Sequence, residues 1–272
     1  MHSRKVLFSQ VARFSGLLAL FFFAVFPAHA KAVPPPHERG EILLRHFAKE
    51  FTPEKMVMIL DEDPMEDGYI REMFMDIAGC RIGGVRIAEL RLRAMGVTLN
   101  SPGEWEKKGV GLKEMLHIHA FARITDKDLN ENLLEKKFGD EDAWRNLQVS
   151  ISPDGIYARG NYLVTFLFNF DILIEIFSKF RIEKMQQIWL DDYTLRVNRV
   201  DVPEMITERA VAQIQPLLDL GKFIFPLKLH SINYENGSLT ISSRVLPVPL
   251  QGVEYHYYER EQTVPLQKPG KP

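Results

Sequence analysis

The chain has 272 residues, of which 46% are hydrophobic and 26% are charged. This length and composition argue for one large or two small globular domains, and against wholesale disorder, a collagen or a polytopic membrane protein. With 34 basic and 36 acidic residues the formal net charge is -2, so no bulk attraction to nucleic acid is expected. The single cysteine, Cys80, excludes an intrachain disulfide and is interpreted as a small buried core residue.

Residues 1–30 have the pattern of a secretory signal peptide. Three basic residues are followed by an apolar run of 13 residues, Phe14–Phe26, and by a small-x-small motif that ends at Ala30. The run is short for a membrane span, and an uncleaved anchor is the alternative. We expect export, cleavage after Ala30, and a location in the periplasm or cell envelope. The chain without residues 1–30 has a formal charge of -5, which is too negative to bind anionic head groups by net charge.

The rest of the chain divides into three segments. Three consecutive prolines indicate a linker over residues 31–40, and weak helical spacing follows over residues 41–50, so residues 31–54 are interpreted as a linker and N-terminal segment. Residues 55–246 carry the strand pattern of a β domain. Residues 247–272 are rich in proline, tyrosine and glutamine and are expected to form a flexible, poorly ordered tail.

The dominant period in the β domain is two, which is typical of strands. In the run over residues 85–99, Val85 and Ile87 have one parity, whereas Leu90 and Leu92 have the other. One inserted residue turns every later side chain to the opposite face of a strand. The sequence therefore predicts a bulge in this run.

Local signals place several turns and helices. Thr125 and Asp128 have the spacing of a capping box, which predicts that a helix begins there. Residues 100–103 indicate a loop, and Asn236-Gly237 between alternating residues predicts a hairpin. A further helix is predicted by apolar residues at helical spacing: Met205, Ile206, Ala210 and Ile214.

The longest regular pattern runs from Ile156 to Ile182. Apolar residues occupy most even positions over these 27 residues, and no proline interrupts them. One extended strand of this length would span about 90 Å, whereas strands rarely exceed about ten residues. Either a bend near residues 169–171 divides the run into two strands, or the sheet is very long and wraps. Both alternatives imply an elongated, strongly curved sheet. The next strand alternates through four odd-numbered residues: Trp189, Tyr193, Leu195 and Val197.

Motifs for catalysis and metal binding are scarce. The sequence contains no G-x-S-x-G, P-loop or H-E-x-x-H motif. His117 and His119 fall on one face of a strand and could hold a metal, but no third ligand lies nearby in the sequence, so half-exposed strand residues are the favoured interpretation. We therefore expect no catalytic residues, no metal site and no cofactor. A hydrolase would need a serine close in space to His117 or His119.

The long apolar face has two interpretations. Its side chains pack as core against other strands and helices, or part of the face lines a cavity for a lipid chain, where each buried CH₂ contributes about 0.8 kcal/mol. In the second case, the lining residues are the even-numbered ones in the middle of the run: Tyr162, Val164, Phe166, Phe168, Phe170, Ile172, Ile174 and Ile176.

Several motifs, taken in order, resemble those of a known family. They are Val85–Val97, Ala122–Asn130, Val200–Pro203, Ile214–Leu220, Phe225–Leu229 and the Asn236-Gly237 hairpin. Over residues 55–245, their order and spacing are similar to those of the bacterial LmeA-like phospholipid-binding family. The sequence departs from that pattern in having Gln215-Pro216 where the family usually has Asn-Pro, and in lacking a glycine midway along the long alternation.

The resemblance implies an exported, non-enzymatic protein. Its fold would be mainly β, of the α+β class: an elongated, rolled antiparallel β-sheet with two or three short helices enclosing an apolar groove, distantly similar to the tubular lipid-binding proteins. Its partner would be a phospholipid or another lipid, bound for envelope lipid transport or homeostasis, with transient membrane contact and no nucleic acid. An exposed sheet edge would also allow a homo-oligomer. The alternative is an envelope structural or interaction protein with a packed core and no ligand.

Overall fold

The structure is a computed structural model, which describes residues 33–82, 85–135, 144–165, 169–212, 215–222 and 225–259. The predicted signal peptide lies outside the described residues. Strands account for 55% of the structure, helices are few and short, and the sheets are open and antiparallel. The predicted fold class, a mainly β protein of the α+β class, is confirmed.

Thirteen strands occur in the described part of the chain and form two sheets. In chain order they are β1 (Lys55–Leu60), β2 (Tyr69–Ile82), β3 (Val85–Leu99), β4 (Leu112–Thr125), β5 (Trp144–Ser152), β6 (Gly155–Thr165), β7 (Asn169–Glu183), β8 (Gln187–Val197), β9 (Val200–Asp201), β10 (Leu218–Asp219), β11 (Ser231–Glu235), β12 (Ser238–Ser242) and β13 (Val253–Tyr258). Sheet A has the order β11-β12-β4-β3-β2-β1-β13. Sheet B has the order β10-β8-β7-β6-β5, and β9 also pairs with β8.

Four α-helices occur in the same described ranges: α1 (Pro36–Phe51), α2 (Pro102–Lys108), α3 (Asp126–Glu135) and α4 (Glu204–Ala212). This is one more than the two or three predicted, because α2 starts within the loop predicted at residues 100–103. Pro102 lies in the first turn of α2, where backbone N–H groups have no partner within the helix, so the missing N–H of proline costs no hydrogen bond. None of the described helices is long and apolar enough to cross a membrane.

Helix α1 begins earlier than the sequence predicts. Pro36 occupies the first turn, so residues 36–40 of the predicted linker are helical and the linker prediction is wrong there. Leu43, Phe47 and Phe51 recur at every fourth position and are buried, each at most 1% exposed. The helix is therefore part of the core.

The capping box at the start of α3 is confirmed. The Thr125 backbone N–H donates to Asp128 Oδ2 at 2.7 Å, and the Asp128 N–H donates to Thr125 Oγ1 at 3.2 Å. Arg86 of β3 donates to the same carboxylate, which is completely buried. This ion pair compensates the buried charge and fixes the start of α3 to sheet A.

Helix α4 turns a different side toward the protein than its spacing predicts. Thr207 and Val211 are buried, whereas Met205 and Ile206 are 61% and 52% exposed. The apolar spacing therefore predicts the helix, but Met205 and Ile206 do not lie on its buried side. The other two positions of the spacing fall outside the side chains that the structure describes.

A single apolar core joins the two sheets. It contains the inner face of sheet A, the buried side of α1 and one end of sheet B. Sheet B contributes Val149, Ile151, Ile156 and Ile188. The other end of sheet B extends beyond this core.

The predicted change of face within β3 is confirmed, but a bulge is not its cause. Ile87 and Leu90 are both buried, and so are their partners in β2, Cys80 and Ile77. The register of β2 against β3 is the same on both sides of the change, so neither strand contains an inserted residue. Gly79 lies between the two pairs with φ at 66°, a conformation that glycine adopts readily. A local twist therefore turns both strands together, and the predicted bulge is wrong.

The long alternation is a hairpin of two strands. β6 ends at Thr165, β7 begins at Asn169, and the two strands pair antiparallel. Even-numbered residues pair with even-numbered residues, so the apolar positions of both strands share one face. The first predicted alternative, division into two strands, is confirmed, with the break just before the expected position.

Strand β8 changes face where the sequence shows unbroken alternation. Its register against β7 shifts near Asp192, which has φ at 47°. Beyond the shift, Ile188 and Leu190 are buried. Trp189 therefore points to the opposite face, and its predicted grouping with the later odd-numbered residues is wrong.

The predicted tail contains a strand, because β13 pairs with β1 along its whole length. Tyr255 of β13 is 1% exposed, stacks on His37 with ring centroids 5.3 Å apart, and donates its hydroxyl to Asp63. The expectation of poor order is therefore wrong for residues 253–258. Residues 260–272 of the predicted tail lie outside the described residues.

Substitution of Gly40 tests how β13 is docked. A Cβ at Gly40 of α1 would lie 2.1 Å from the ring of Tyr255. Gly→Ala usually stabilises a helix by about 1 kcal/mol. For Gly40→Ala we expect a loss of roughly 1–3 kcal/mol instead, because the buried ring has no room to move. Unfolding in denaturant measures the change. The loss should disappear in a Tyr255→Ala background, and a stabilised Gly40→Ala variant would contradict the packing of β13 on α1.

The environment of Cys80 predicts an unreactive thiol. The side chain is completely buried, and burial raises the pKa of Cys80 to about 12. At about pH 8, almost no thiolate is therefore present in the folded protein. We expect no reaction with an aromatic disulfide reagent until guanidinium chloride unfolds the chain, when one thiol per chain should react. Rapid reaction of the folded protein would show that Cys80 is outside the core.

Candidate functional site

One end of sheet B carries an apolar face that the core does not cover. In the ladders of β6, β7 and β8, Tyr162 pairs with Ile172, and the next two even positions of β7 pair with β8. Direct partners in an antiparallel ladder point to the same side. All the side chains concerned are half-buried, and none of them belongs to the core cluster of the described residues. We call this set the distal apolar face: Tyr162, Ile172, Ile174, Ile176, Leu195 and Val197.

The distal apolar face continues a row of residues that begins in the core. On the same side of sheet B, Ile156 is buried in the core, and Phe180 packs against the core. Ser178 lies between the two parts of β7, and its hydroxyl donates to the carbonyl oxygens of Lys179 and Asp191 at 2.8 and 3.0 Å. The boundary between packed and uncovered apolar surface therefore contains a satisfied polar group.

The eight predicted lining residues fall into three groups. Four lie on the distal apolar face: Tyr162, Ile172, Ile174 and Ile176. Two are backbone partners in the same ladder, with side chains outside the description: Val164 and Phe170. Two lie outside the described residues: Phe166 and Phe168. Alternation in the sequence places Leu195 and Val197 on a strand but does not assign them to the site. Their pairing with β7 adds them.

The chemistry of the distal apolar face suits hydrocarbon. Tyr162 supplies its only side-chain polar atom, and no member of the set is ionisable near neutral pH. The three residues of β7 span about 13 Å along the strand, and three strands span about 10 Å across the sheet. Val200 of β9 pairs with Val197 and extends the surface into solvent, with 68% exposure. Such a surface can bind an apolar chain but offers no group for acid–base catalysis.

The opposite face of the same strands is mixed, with polar groups beside Leu163, Leu173 and Phe177. Glu175 accepts a hydrogen bond from the Tyr157 hydroxyl, which raises the pKa of Tyr157. Arg159 donates to Gln148 at 2.7 Å. A cleft of about 620 Å³ on this side is bordered by these two residues, three asparagines and two leucines, including Leu173. Sheet B therefore has one apolar face, and a second face on which polar and apolar side chains are mixed.

A second uncovered apolar surface lies beside the first half of β4. Leu116 is 66% exposed, and Val245 and Leu246 are 55% and 56% exposed. Leu116 and Val245 border a cleft of about 300 Å³ together with Lys228 and Arg244. We call this set the β4 surface: Leu116, His117, Lys228, Arg244, Val245 and Leu246.

The segment that follows β12 is held firmly at the β4 surface. The Ser243 N–H donates to the Ala120 carbonyl at 2.9 Å, and Ser243 Oγ accepts from the Ala120 N–H at 2.8 Å. Farther on, Arg93 of β3 donates to the Val248 carbonyl at 3.2 Å. The chain then reaches β13, which pairs with β1. Residues 244–250 therefore cross the outer face of sheet A, and their side chains are presented on a fixed backbone.

The β4 surface is positively charged. The ionisable side chains that border its cleft are His117, His119, Lys228 and Arg244, and no carboxylate is found among the described residues that line it. Burial lowers the pKa of His119, and the neighbouring charges of His117 and Arg93 act in the same direction. Within the described ranges, no group of three histidine, cysteine or acidic side chains is close enough to hold a metal.

The fold and the two surfaces define a mainly β protein that exposes a one-sided apolar sheet suited to hydrocarbon. A model of the LmeA-like phospholipid-binding family matches residues 64–244, and the chain belongs to this family. The match extends from β2 to β12 and includes the whole distal apolar face. The predicted family is therefore confirmed. Neither the curated proteins nor the solved structures that were searched contain a match.

Proposed function

We propose that the protein binds a phospholipid or a similar lipid on the distal apolar face and carries it within the cell envelope, for lipid transport or homeostasis. The lipid is bound and released without chemical conversion. One observation carries the proposal: six half-buried apolar side chains on three paired strands lie outside the core, in a chain that belongs to a phospholipid-binding family.

The energetics favour an apolar ligand at this position. Each Å² of apolar surface removed from water contributes about 25 cal/mol, so a lipid chain laid along β7 gains from its own methylenes and from the side chains beneath it. A polar ligand would gain nothing from these six side chains. The opposite face of sheet B carries polar groups, so the lipid would bind on only one side of the sheet.

The proposed location rests on the amino-terminal sequence. The basic residues, apolar run and small-x-small motif within residues 1–30 support export through a cleaved signal peptide. A phospholipid is almost insoluble as a monomer, so its movement across the aqueous part of the envelope requires a carrier that covers its chains. Loading and release then require transient contact with a membrane.

Bound lipid should be detectable directly. We expect protein purified from its native source to release phospholipid into organic solvent, in an amount comparable to the protein, as measured by mass spectrometry. An unrelated exported protein purified in the same way supplies the background level. An extract at that background level would favour the alternative of an envelope interaction protein with no ligand.

A pair of variants on neighbouring residues tests which face binds. Ile174→Asp places a charge on the distal apolar face. Leu173→Asp places the same charge on the opposite face of the same strand. Both original side chains are half-buried. We expect Ile174→Asp to lower lipid occupancy roughly tenfold, equivalent to about 1.4 kcal/mol, with little change for Leu173→Asp. Thermal unfolding of both variants is the control for folding. Equal losses of occupancy in the two variants would argue against binding on this face.

A further inference from the structure

The exposed apolar side chains of the β4 surface are concentrated in one place. Among the described residues, Leu116, Val245 and Leu246 are more than half exposed, and Val248 beside them is 53% exposed. Large apolar side chains grouped in this way on a folded surface mark a contact with another molecule or with a membrane. The Ser243 hydroxyl, which accepts from the Ala120 N–H, and the Arg93 side chain, which donates to the Val248 carbonyl, hold this segment in place, so its apolar side chains do not withdraw into the core.

Cations surround these apolar side chains. Lys228 and Arg244 border the same cleft as Leu116, and neither forms an ion pair with a carboxylate of the described residues. By contrast, Arg93 on the neighbouring strand is held by Glu72 at 2.7 Å. Lys228 and Arg244 are therefore available to an external anion.

The combination identifies the chemistry of the partner. Apolar side chains gain by entering hydrocarbon, while lysine and arginine beside them gain by contacting anionic phosphate groups at its boundary. A bilayer that contains anionic phospholipid offers both at the required spacing. The formal charge of the chain without residues 1–30 is -5, so the attraction to an anionic surface has to be local. The described cleft provides it, because no carboxylate of the described residues lines it.

We propose that the β4 surface is a membrane-docking surface for anionic phospholipid bilayers. Leu116, Val245 and Leu246 enter the interfacial region, and Lys228 and Arg244 contact the phosphates. The docking surface lies on sheet A, whereas the lipid proposed above is bound on sheet B, and docking does not depend on that bound lipid.

Flotation with lipid vesicles tests the proposal on the purified protein. We expect the protein to float with vesicles of phosphatidylglycerol mixed with phosphatidylcholine, to float poorly with pure phosphatidylcholine, and to be released by high salt. Two variants remove the two components separately: Leu116→Ser with Leu246→Ser, and Lys228→Glu with Arg244→Glu. Each should lower partitioning about tenfold. The exposed positions of these residues make loss of folding an unexpected result, and circular dichroism checks it.

The chain offers a matched control. Met205→Ser with Ile206→Ser removes a similar amount of exposed apolar surface from α4, and partitioning should remain within twofold of the wild-type protein. Three results would overturn the proposal: no flotation of the wild-type protein with anionic vesicles, an equal loss in the α4 variant, or unchanged partitioning in both β4 variants. Measurement of extracted lipid in the same variants reports separately on the distal apolar face.

Discussion

The pairing of β6, β7 and β8 is the constraint on which the rest of the structure depends. Antiparallel register places Tyr162, the even-numbered isoleucines of β7, Leu195 and Val197 on one side, and the backbone hydrogen bonds hold them there whether or not anything covers them. The core covers only the end that includes Ile156 and Ile188. The other end keeps apolar side chains only partly buried, and covering the part that remains in water would be favourable by about 25 cal/mol per Å².

The sequence predicts the strands that carry this face because the signal of alternation is local. Alternation over Ile156–Ile182, the capping box at Thr125 and the turn at Asn236-Gly237 each depend on residues a few positions apart, and the structure confirms all three. The side of the sheet to which Trp189 points could not be predicted from such local patterns. Its direction depends on the shift near Asp192, and an aspartate in an alternating run gives no sign of a bulge.

Non-local pairing explains the remaining differences. β13 comes from a segment with the composition of a flexible tail, and it becomes a strand because β1 offers an unpaired edge and Gly40 leaves room for Tyr255. The β4 surface is also assembled from distant parts of the chain. His117, Lys228 and Arg244 meet only because β12 pairs with β4, so the sequence showed two histidines on a strand and gave no indication of the cations beside them.

The edges of the sheets bear on how the protein meets its partners. At the β5 edge of sheet B, the Asn130 side chain of α3 accepts from the Val149 N–H at 2.7 Å and donates to the Val149 carbonyl at 2.8 Å. Both backbone groups that an added strand would use at Val149 are therefore occupied. On the other side of sheet B, β8 is paired with the short strands β9 and β10. A partner that binds apolar side chains has two uncovered apolar surfaces available. A partner that adds a strand by backbone hydrogen bonds meets a blocked position at Val149. The Asn130 side chain therefore argues against addition of a strand at Val149 of sheet B.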